Sequence, residues 1–474
     1  MARLSVLLKC ALVAAMLNGC AAFSPDSSPA VAVDSRLPAA WSAPLPHGGD
    51  NAALTQWWSQ FDDPLLTQLI AAAQQNNGSL TQAAARIEQA RAHERMASGG
   101  AGPTLNARAG LSRDHAELPL QYTRSTTSIG LDAAWEIDVF GVTRSQTAAA
   151  AARVEGAVAN WHELRVTLAA EVAANYVGYR SCEALAELSA QTSQSQRRSA
   201  ELTQAKLAAG FENRSNAALA RAGAIDASNR AVEQRADCGV LQKGMVALTA
   251  LPEDSLRTML AARAGQLPQP RAFTVEATPA HWLRQRPDLA ALEREIAAAS
   301  NDVGAALADR FPRLSLSGTI TGLRLKSAND VATATQWSIG PALSLPLFDA
   351  GRRAARADLA QAQYREARAK YEQRCREAVR EVEEALLRLD ASGRREADAL
   401  RAVFDVRQFM ESTEARWKIG MASLLELEEA RRVALGAAEN LARIKRERVV
   451  AWIALYKAIG GGWDAQTPET APRV

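Results

Sequence analysis

The chain has 474 residues, of which 48% are hydrophobic but only 5% aromatic, and its net charge is +3. A balance so near neutral, with no basic cluster, argues against nucleic acid as the partner. Past the N-terminal segment no apolar run approaches the roughly 20 residues of a membrane-spanning helix, so a membrane crossing would have to be a β-barrel, since only helices and closed barrels satisfy the backbone in lipid.

Residues 1–19 read as a signal peptide. Arg3 and Lys9 precede an apolar run from Cys10 to Leu17, followed by Asn18, Gly19 and Cys20. A positive start, a short apolar core and a small residue before the cut are the layout of a secretory signal. The cysteine directly after the small residue resembles a bacterial lipoprotein lipobox, with Cys20 as the acylated first residue, although Asn18 is an unusual choice there. The alternative is an ordinary cleaved signal with an incidental cysteine. Ala21 and Ala22 follow, not the aspartate that resembles an inner-membrane retention signal, which favours the outer membrane. Residues 20–52 then form a lipid-anchored linker.

The remainder says the same thing twice. Ala134-Trp135-Glu136-Ile137-Asp138-Val139-Phe140-Gly141 runs into a long alanine-rich helical stretch, and so does Leu343-Ser344-Leu345-Pro346-Leu347-Phe348-Asp349-Ala350-Gly351. Such self-similarity points to a duplicated unit, with a first repeat over 53–265, a second over 266–463 and a flexible tail at 464–474.

In the first repeat a helix at about 79–100 precedes strands at about 104–113 and 126–139. Leu105, Ala107, Ala109 and Leu111 alternate with polar residues or glycine. Ile129, Leu131, Ala133, Trp135, Ile137 and Val139 alternate with a face that carries Ser128, Asp132, Glu136 and Asp138. In the second repeat a helix at about 288–310 precedes strands at about 313–325 and 335–347. Leu314, Leu316 and Ile320 share one face, after which the phase shifts to Leu323 and Leu325, with Gly322 at the shift as a candidate bulge. Trp337, Ile339, Leu343, Leu345 and Leu347 form the apolar face of the last strand. Strands of about 10 residues with one apolar and one polar face suit a transmembrane barrel. A soluble sheet with one buried face is the bland reading, and the carboxylates Asp132, Glu136 and Asp138 weigh toward a wet lumen. Four strands cannot close a barrel whose minimum is about 8. The chain must therefore oligomerise to hide its edges. Three copies would leave a pore, whereas two would leave an interior that side chains nearly fill.

The long helices are free of proline from Pro119 to Pro252 and from Pro346 to Pro468. Gly210-Phe211-Glu212-Asn213 and Gly420-Met421-Ala422-Ser423 read as the turns of helix hairpins, each glycine suited to a left-handed helix end. The hairpins then pair helices at about 144–209 and 214–250, and at about 352–419 and 423–459. At ~1.5 Å per residue the first helix of each pair would reach roughly 100 Å and the second roughly 55 Å. A cytoplasmic coiled coil is the alternative, opposed by the export signal. Cys182 and Cys238 lie at nearly equal distances either side of the first turn, which predicts a disulfide between antiparallel helices in an oxidising compartment. Two buried free thiols are the alternative, and Cys375 is left without an assigned partner.

Four segments resemble TolC-like outer membrane factors, specifically the lipoprotein channels serving resistance-nodulation-division pumps. They are Trp58-Ser59-Gln60-Phe61-Asp62-Asp63-Pro64, Gln285-Arg286-Pro287-Asp288-Leu289, Phe311-Pro312-Arg313-Leu314-Ser315-Leu316 and Leu455-Tyr456-Lys457-Ala458-Ile459-Gly460-Gly461-Gly462-Trp463. The resemblance covers the chain from about Trp57 to Trp463. It implies a mixed α/β membrane protein: a homotrimer with a 12-stranded outer-membrane β-barrel, four strands per chain, continuous with a long periplasmic α-helical barrel. It further implies an equatorial belt, placed here in about 53–78, 251–287 and the C-terminal end. The function implied is the outer-membrane channel of a tripartite multidrug efflux system, passively conducting substrates handed over by a periplasmic adaptor and an inner-membrane proton-driven pump. Outlets of protein or metal export systems, or a structural envelope lipoprotein, are the alternatives.

Nothing points to catalysis or to a cofactor. The five histidines (His47, His93, His115, His162 and His281) are scattered without metal-ligand spacing, and there is no P-loop, G-x-S-x-G or C-x-x-C. Gly460-Gly461-Gly462 follows no strand and reads as a helix stop. In the resembling family acidic rings narrow a closed periplasmic mouth, and many relatives carry aspartate two residues after the second-hairpin glycine. Ala422 stands there in this chain. Glu212 holds the matching place in the first hairpin, as a candidate gate or selectivity ring or else a solvated glutamate. Phe211 and Met421 are candidate adaptor or tip contacts, and Leu424 and Leu425 are expected inside the hairpin.

Overall fold

The computed structural model describes residues 41–42, 54–117, 122–270, 283, 285–327 and 330–463. The signal, Cys20 and the C-terminal tail lie outside the described residues, as does part of the expected belt at 271–282. The described chain falls into two compact units. One comprises residues 84–159 and 290–373, the other 54–83, 160–289 and 374–463.

The first unit holds most of helices α2 (Gly78–Gly99) and α6 (Pro287–Ala308), together with strands β1 (Thr104–Ala116), β2 (Tyr122–Ile137), β3 (Arg313–Lys326) and β4 (Val331–Ser344). The strands form one antiparallel sheet in the order β1-β2-β3-β4. Its register sets Leu105 opposite Ala133, Ala133 opposite Gly318 and Gly318 opposite Ile339. The next row of the same face is Ala107, Leu131, Ile320 and Trp337. Side chains alternate across a strand, so this pairing puts the apolar positions of all four strands on one face.

Two expectations need correction here. Pairing runs through Gly322 without a slip, since Ile129 faces Gly322 and Ser128 faces Leu323. No bulge interrupts β3, and Leu323 and Leu325 sit on the polar face beside Ser128 and Thr126. The apparent phase shift is a change of residue type on an unbroken strand, which periodicity alone cannot distinguish from a bulge. Strands β2 and β4 also end earlier than expected, leaving Asp138, Val139, Leu345 and Leu347 beyond them.

Both strand-to-helix junctions use aspartate and glycine in the same way. Asp138 Oδ2 accepts the Arg144 amide at 2.7 Å, at the start of α3 (Val142–Ala208). Asp349 accepts the amides of Gly351 and Arg353 at 3.1 Å, at the start of α7 (Arg352–Lys418). Helix N-termini leave unpaired amides that a carboxylate satisfies, helped by the helix dipole. Gly141 and Gly351 both take φ +84°, a conformation open to glycine at no cost. Duplication at the level of sequence is thus duplication of a physical device. Phe140 stacks on Phe311 with centroids 5.0 Å apart. Asp309 bonds Arg313 and approaches Arg353 at 3.3 Å.

In the second unit, α3 turns into α4 (Arg214–Thr249) and α7 into α8 (Leu424–Ala458). Leu54–Phe61 form a 3-10 helix, followed by α1 (Pro64–Asn76), and α5 (Glu253–Ala261) comes after α4. A hydrophobic core gathers Trp57, Leu66, Leu69, Tyr176, Met245, Leu256, Leu260, Leu386 and Leu455. Two of the motif segments are explained by polar chemistry at the margin of this core. Asp63 caps α1 through Leu65 N–H at 3.0 Å, and its other oxygen accepts the Tyr176 hydroxyl at 2.7 Å. Arg180, fully buried, donates to Tyr176 at 3.0 Å, Glu183 at 2.9 Å and the Leu260 carbonyl at 2.8 Å.

Arg286 is buried and donates to the Ala458 carbonyl at 2.6 Å, near the end of α8, while pairing with Asp288 at 2.8 Å and Glu381 at 2.9 Å. Gly460, at φ +90°, lets the chain pass so close that an added Cβ would stand 2.2 Å from the Gln285 carbonyl oxygen. The glycine run is therefore a packing joint against the Gln285-Arg286 segment as well as a helix stop.

Candidate functional site

The sheet and the hairpin tips are the two places where chemistry could meet a cargo or a partner. On the sheet, the large apolar side chains that remain exposed include Leu105, Leu111, Ile129, Leu131, Ile320, Trp337, Ile339 and Leu343. All of them lie on one face by the register above. Leu111 is 82% exposed and Trp337 73%, a degree of exposure that a water-facing surface does not tolerate over so wide a patch. The opposite face carries Asn106, Arg108, Asp132, Glu136, Ser317, Thr319, Gln336 and Ser338. Among the described helices none is long and apolar enough to cross a membrane.

The polar face is electrostatically balanced. Asp132 bonds Arg108, Asp114 lies 4.0 Å from Arg124 and Glu136 lies 3.9 Å from Arg313. Thr319 and Ser338 share a hydrogen bond of 3.0 Å. Of the three carboxylates expected in a lumen, Asp132 and Glu136 sit on the polar face, whereas Asp138 lies past the strand end and caps α3. The arginine partners were not singled out from the sequence, because an arginine on a polar strand position has no distinguishing pattern until the neighbouring strand's register is known.

The two tips are built alike. Gly210 and Gly420 adopt φ +79° and +77°, and the following amides, Phe211 and Met421, each donate back to the carbonyl five residues earlier at 2.8 Å. That is the helix-end motif that relieves unpaired carbonyls. Asn213 then caps α4 through Asn216 N–H at 2.8 Å. Ser423 caps α8 through Glu426 N–H at 3.2 Å, and Glu426 returns the bond to the Ser423 amide at 2.5 Å, completing a capping box. Phe211 and Met421 are left 83% and 68% exposed.

Glu212 is half-buried and turned toward its own hairpin, where Oε1 accepts the Asn213 amide at 3.0 Å and the Asn216 side chain at 2.9 Å. The Asn213 amide first, then the Asn216 amide group, hold its carboxyl below the usual glutamate range, so it is anionic at neutral pH. Leu424 is half-buried but Leu425 is exposed, correcting the expectation that both pack inward; Leu427 takes the fully buried place.

Cys182 and Cys238 are joined in a disulfide, with Cα atoms 5.5 Å apart, tying α3 to α4. Cys375 is buried and takes no part in that disulfide. One polar link between the two hairpins was invisible in the sequence. Glu428, fully buried, accepts the Ser195 hydroxyl at 2.5 Å and pairs with Arg431 at 2.8 Å. Arg432 donates to the Ser199 hydroxyl at 3.1 Å. In the run Glu426-Leu427-Glu428-Glu429 nothing marks which acid turns inward.

The sequence profile of the outer membrane efflux protein family matches residues 69–242 and 279–461. The chain belongs to this family. It is 31% identical over 464 residues to the outer membrane protein OprJ of Pseudomonas aeruginosa, covering 96% of this chain and 95% of that protein. It is 29% identical over 467 residues to nodulation protein T of Rhizobium leguminosarum bv. trifolii, covering 95% and 96%. Among solved structures, the outer-membrane channel OprN superimposes with a TM-score of 0.78 at 29% identity, covering 90% of this chain and 98% of that one. This outer membrane efflux protein therefore has the fold class read from its sequence, that of a trimeric TolC-like channel with four strands per chain and long helix hairpins. Its one-sided sheet is the membrane surface of an outer-membrane efflux channel.

Proposed function

We propose that this channel is the outlet of a tripartite efflux system, a homotrimer whose sheets close into a twelve-stranded pore in the outer membrane. The single observation that carries the pore is the sheet: one face apolar and exposed, the other polar and charge-balanced, with β1 and β4 at its edges. Unpaired strand edges are not tolerated in lipid, and three copies satisfy them while leaving a lumen. Asp132 with Arg108, and Glu136, line that lumen. Each chain is held to the membrane by acyl groups, palmitate among them, on Cys20. A periplasmic adaptor engages the hairpin tips through Phe211 and Met421, and an inner-membrane proton-driven pump supplies the cargo. The protein conducts passively and performs no catalysis.

Reconstitution in a planar bilayer tests the pore. Discrete conductance steps from a preparation that crosslinks as a trimer support the reading, and a monodisperse monomer without conductance would sink it. Crosslinking in cells followed by mass spectrometry tests the partners. Recovery of an adaptor and a proton-driven pump is expected; a transport ATPase would move the protein to secretion, and peptidoglycan-associated proteins alone would favour a structural role. Intact-mass measurement of the mature N-terminus tests acylation of Cys20.

A further inference from the structure

The outward face of the sheet changes character at its hairpin-loop end. Rows from Ile137, Leu314 and Leu343 up to Ala109, Ile129, Gly322 and Thr335 carry no charge. The next row is Leu111, Thr127, Arg324 and Thr333, and the one after it holds Arg113, Ser125, Lys326 and Val331. Arg113, Arg324 and Lys326 thus converge on one side of β1–β3, immediately past the apolar band. Neighbouring strands lie about 4.8 Å apart and alternate residues about 7 Å. The Arg113 and Lys326 backbones are therefore separated by roughly 10 Å across Ser125, with Arg324 one step below Lys326, within reach of a shared anion for such long side chains.

All three are exposed, and no carboxylate occupies that face within the strands. The contrast with the opposite face is informative, because Arg108, Arg124 and Arg313 there all have acidic partners. Among the described residues Arg113, Arg324 and Lys326 have no acidic partner, and Glu117, just beyond β1, lies against His115 at 3.9 Å instead. A cation cluster on the lipid side, at the margin of the apolar band, is thus left to draw its anion from the membrane.

We propose that Arg113, Arg324 and Lys326 form a binding site for the phosphorylated headgroup of an outer-leaflet glycolipid, one site per chain, with the acyl chains lying on Leu111, Ile129 and Trp337. The inference rests on the channel reading, which places the β1–β2 and β3–β4 loops outside the cell. Guanidinium groups match phosphate oxygens in a two-pronged geometry that ammonium lacks. Each cation near an anionic lipid surface is worth roughly fivefold in partitioning at low ionic strength.

The test compares the full-length wild-type trimer with the triple variant R113Q/R324Q/K326Q. Each is purified in mild detergent, incubated with lipopolysaccharide or its enzymatically dephosphorylated form, and assayed by native mass spectrometry and in planar bilayers. Wild type is expected to retain the phosphorylated lipid, and the variant to lose occupancy by roughly a hundredfold while conducting normally. High salt should narrow the gap. Equal retention of the dephosphorylated lipid, or unchanged retention by the variant, would overturn the site. Wild-type protein that forms no pores would instead overturn the channel reading beneath it. The single variant R324Q should lower retention by roughly fivefold, and R108Q, which removes one charge from the polar face, is its charge-matched control and should leave lipid retention unchanged.

Discussion

The disulfide between Cys182 and Cys238 makes a quantitative prediction about where the first hairpin opens. The two residues are 56 apart in sequence, and closing a loop of that length removes about 4 kcal/mol of chain entropy from any state in which both cysteines are freed. Reduction therefore stabilises openings that detach α4 through Cys238 by up to the same amount, a factor of roughly 10³. Fraying of the tip alone gains nothing, because flanking helices already hold that loop closed with or without the bond. Amide hydrogen exchange on the oxidised and reduced forms of the same protein separates the two cases. Using one sequence avoids the packing cost of replacing Cys182, which is 4% exposed. Residues 232–245 should exchange much faster after reduction, and Asn213 to Leu219 should change less than twofold. Equal acceleration at the tip, or no change near Cys238, would refute the loop-entropy argument.

Gly460→Ala should prevent assembly or lower stability by about 4 kcal/mol or more, since the new Cβ meets the Gln285 carbonyl at 2.2 Å in a left-handed backbone; thermal dissociation of the trimer reads this. Asp288 is pushed up by burial, but the Arg286 hydrogen bond and charge, with Arg374, bring it net below its ordinary value of 3.8. Its contribution is thus complete above that value and is lost as pH falls through the folded value. Denaturation midpoints of wild type and D288N should differ most near pH 7 and converge in acid; a constant gap would contradict the linkage. Glu212 stays anionic at neutral pH, and three copies would face one mouth. E212Q should then reduce cation preference in single-channel recordings, whereas unchanged selectivity would reduce Glu212 to a brace for Asn213 and Asn216.

Much of this protein was legible because its determinants are local. The hairpin turns follow from Gly210 and Gly420, which take the left-handed step without steric cost, and from Asn213 and Ser423, which cap what comes next. Alternation of Leu105 to Leu111 and Ile129 to Ile137 announced a two-faced sheet, since the side-chain period of a strand is fixed by its pleat. Even the cysteine pairing was readable, because an antiparallel hairpin converts sequence distance from the turn into spatial opposition.

What the sequence could not decide depends on register and on burial between segments far apart in the chain. Leu323 and Leu325 looked like a phase change until the pairing Ser128 to Leu323 showed an unbroken strand. Asp138 looked like one more lumen carboxylate, although it caps a helix. Glu428 was one acid among several until Ser195, more than 200 residues away, turned out to be its partner. Local sequence sets which conformations a segment can hold, and so it determined the strands, the turns and the long helices. Only the tertiary structure decides which charges meet, because a side chain's partner is chosen by the face that packing brings opposite to it.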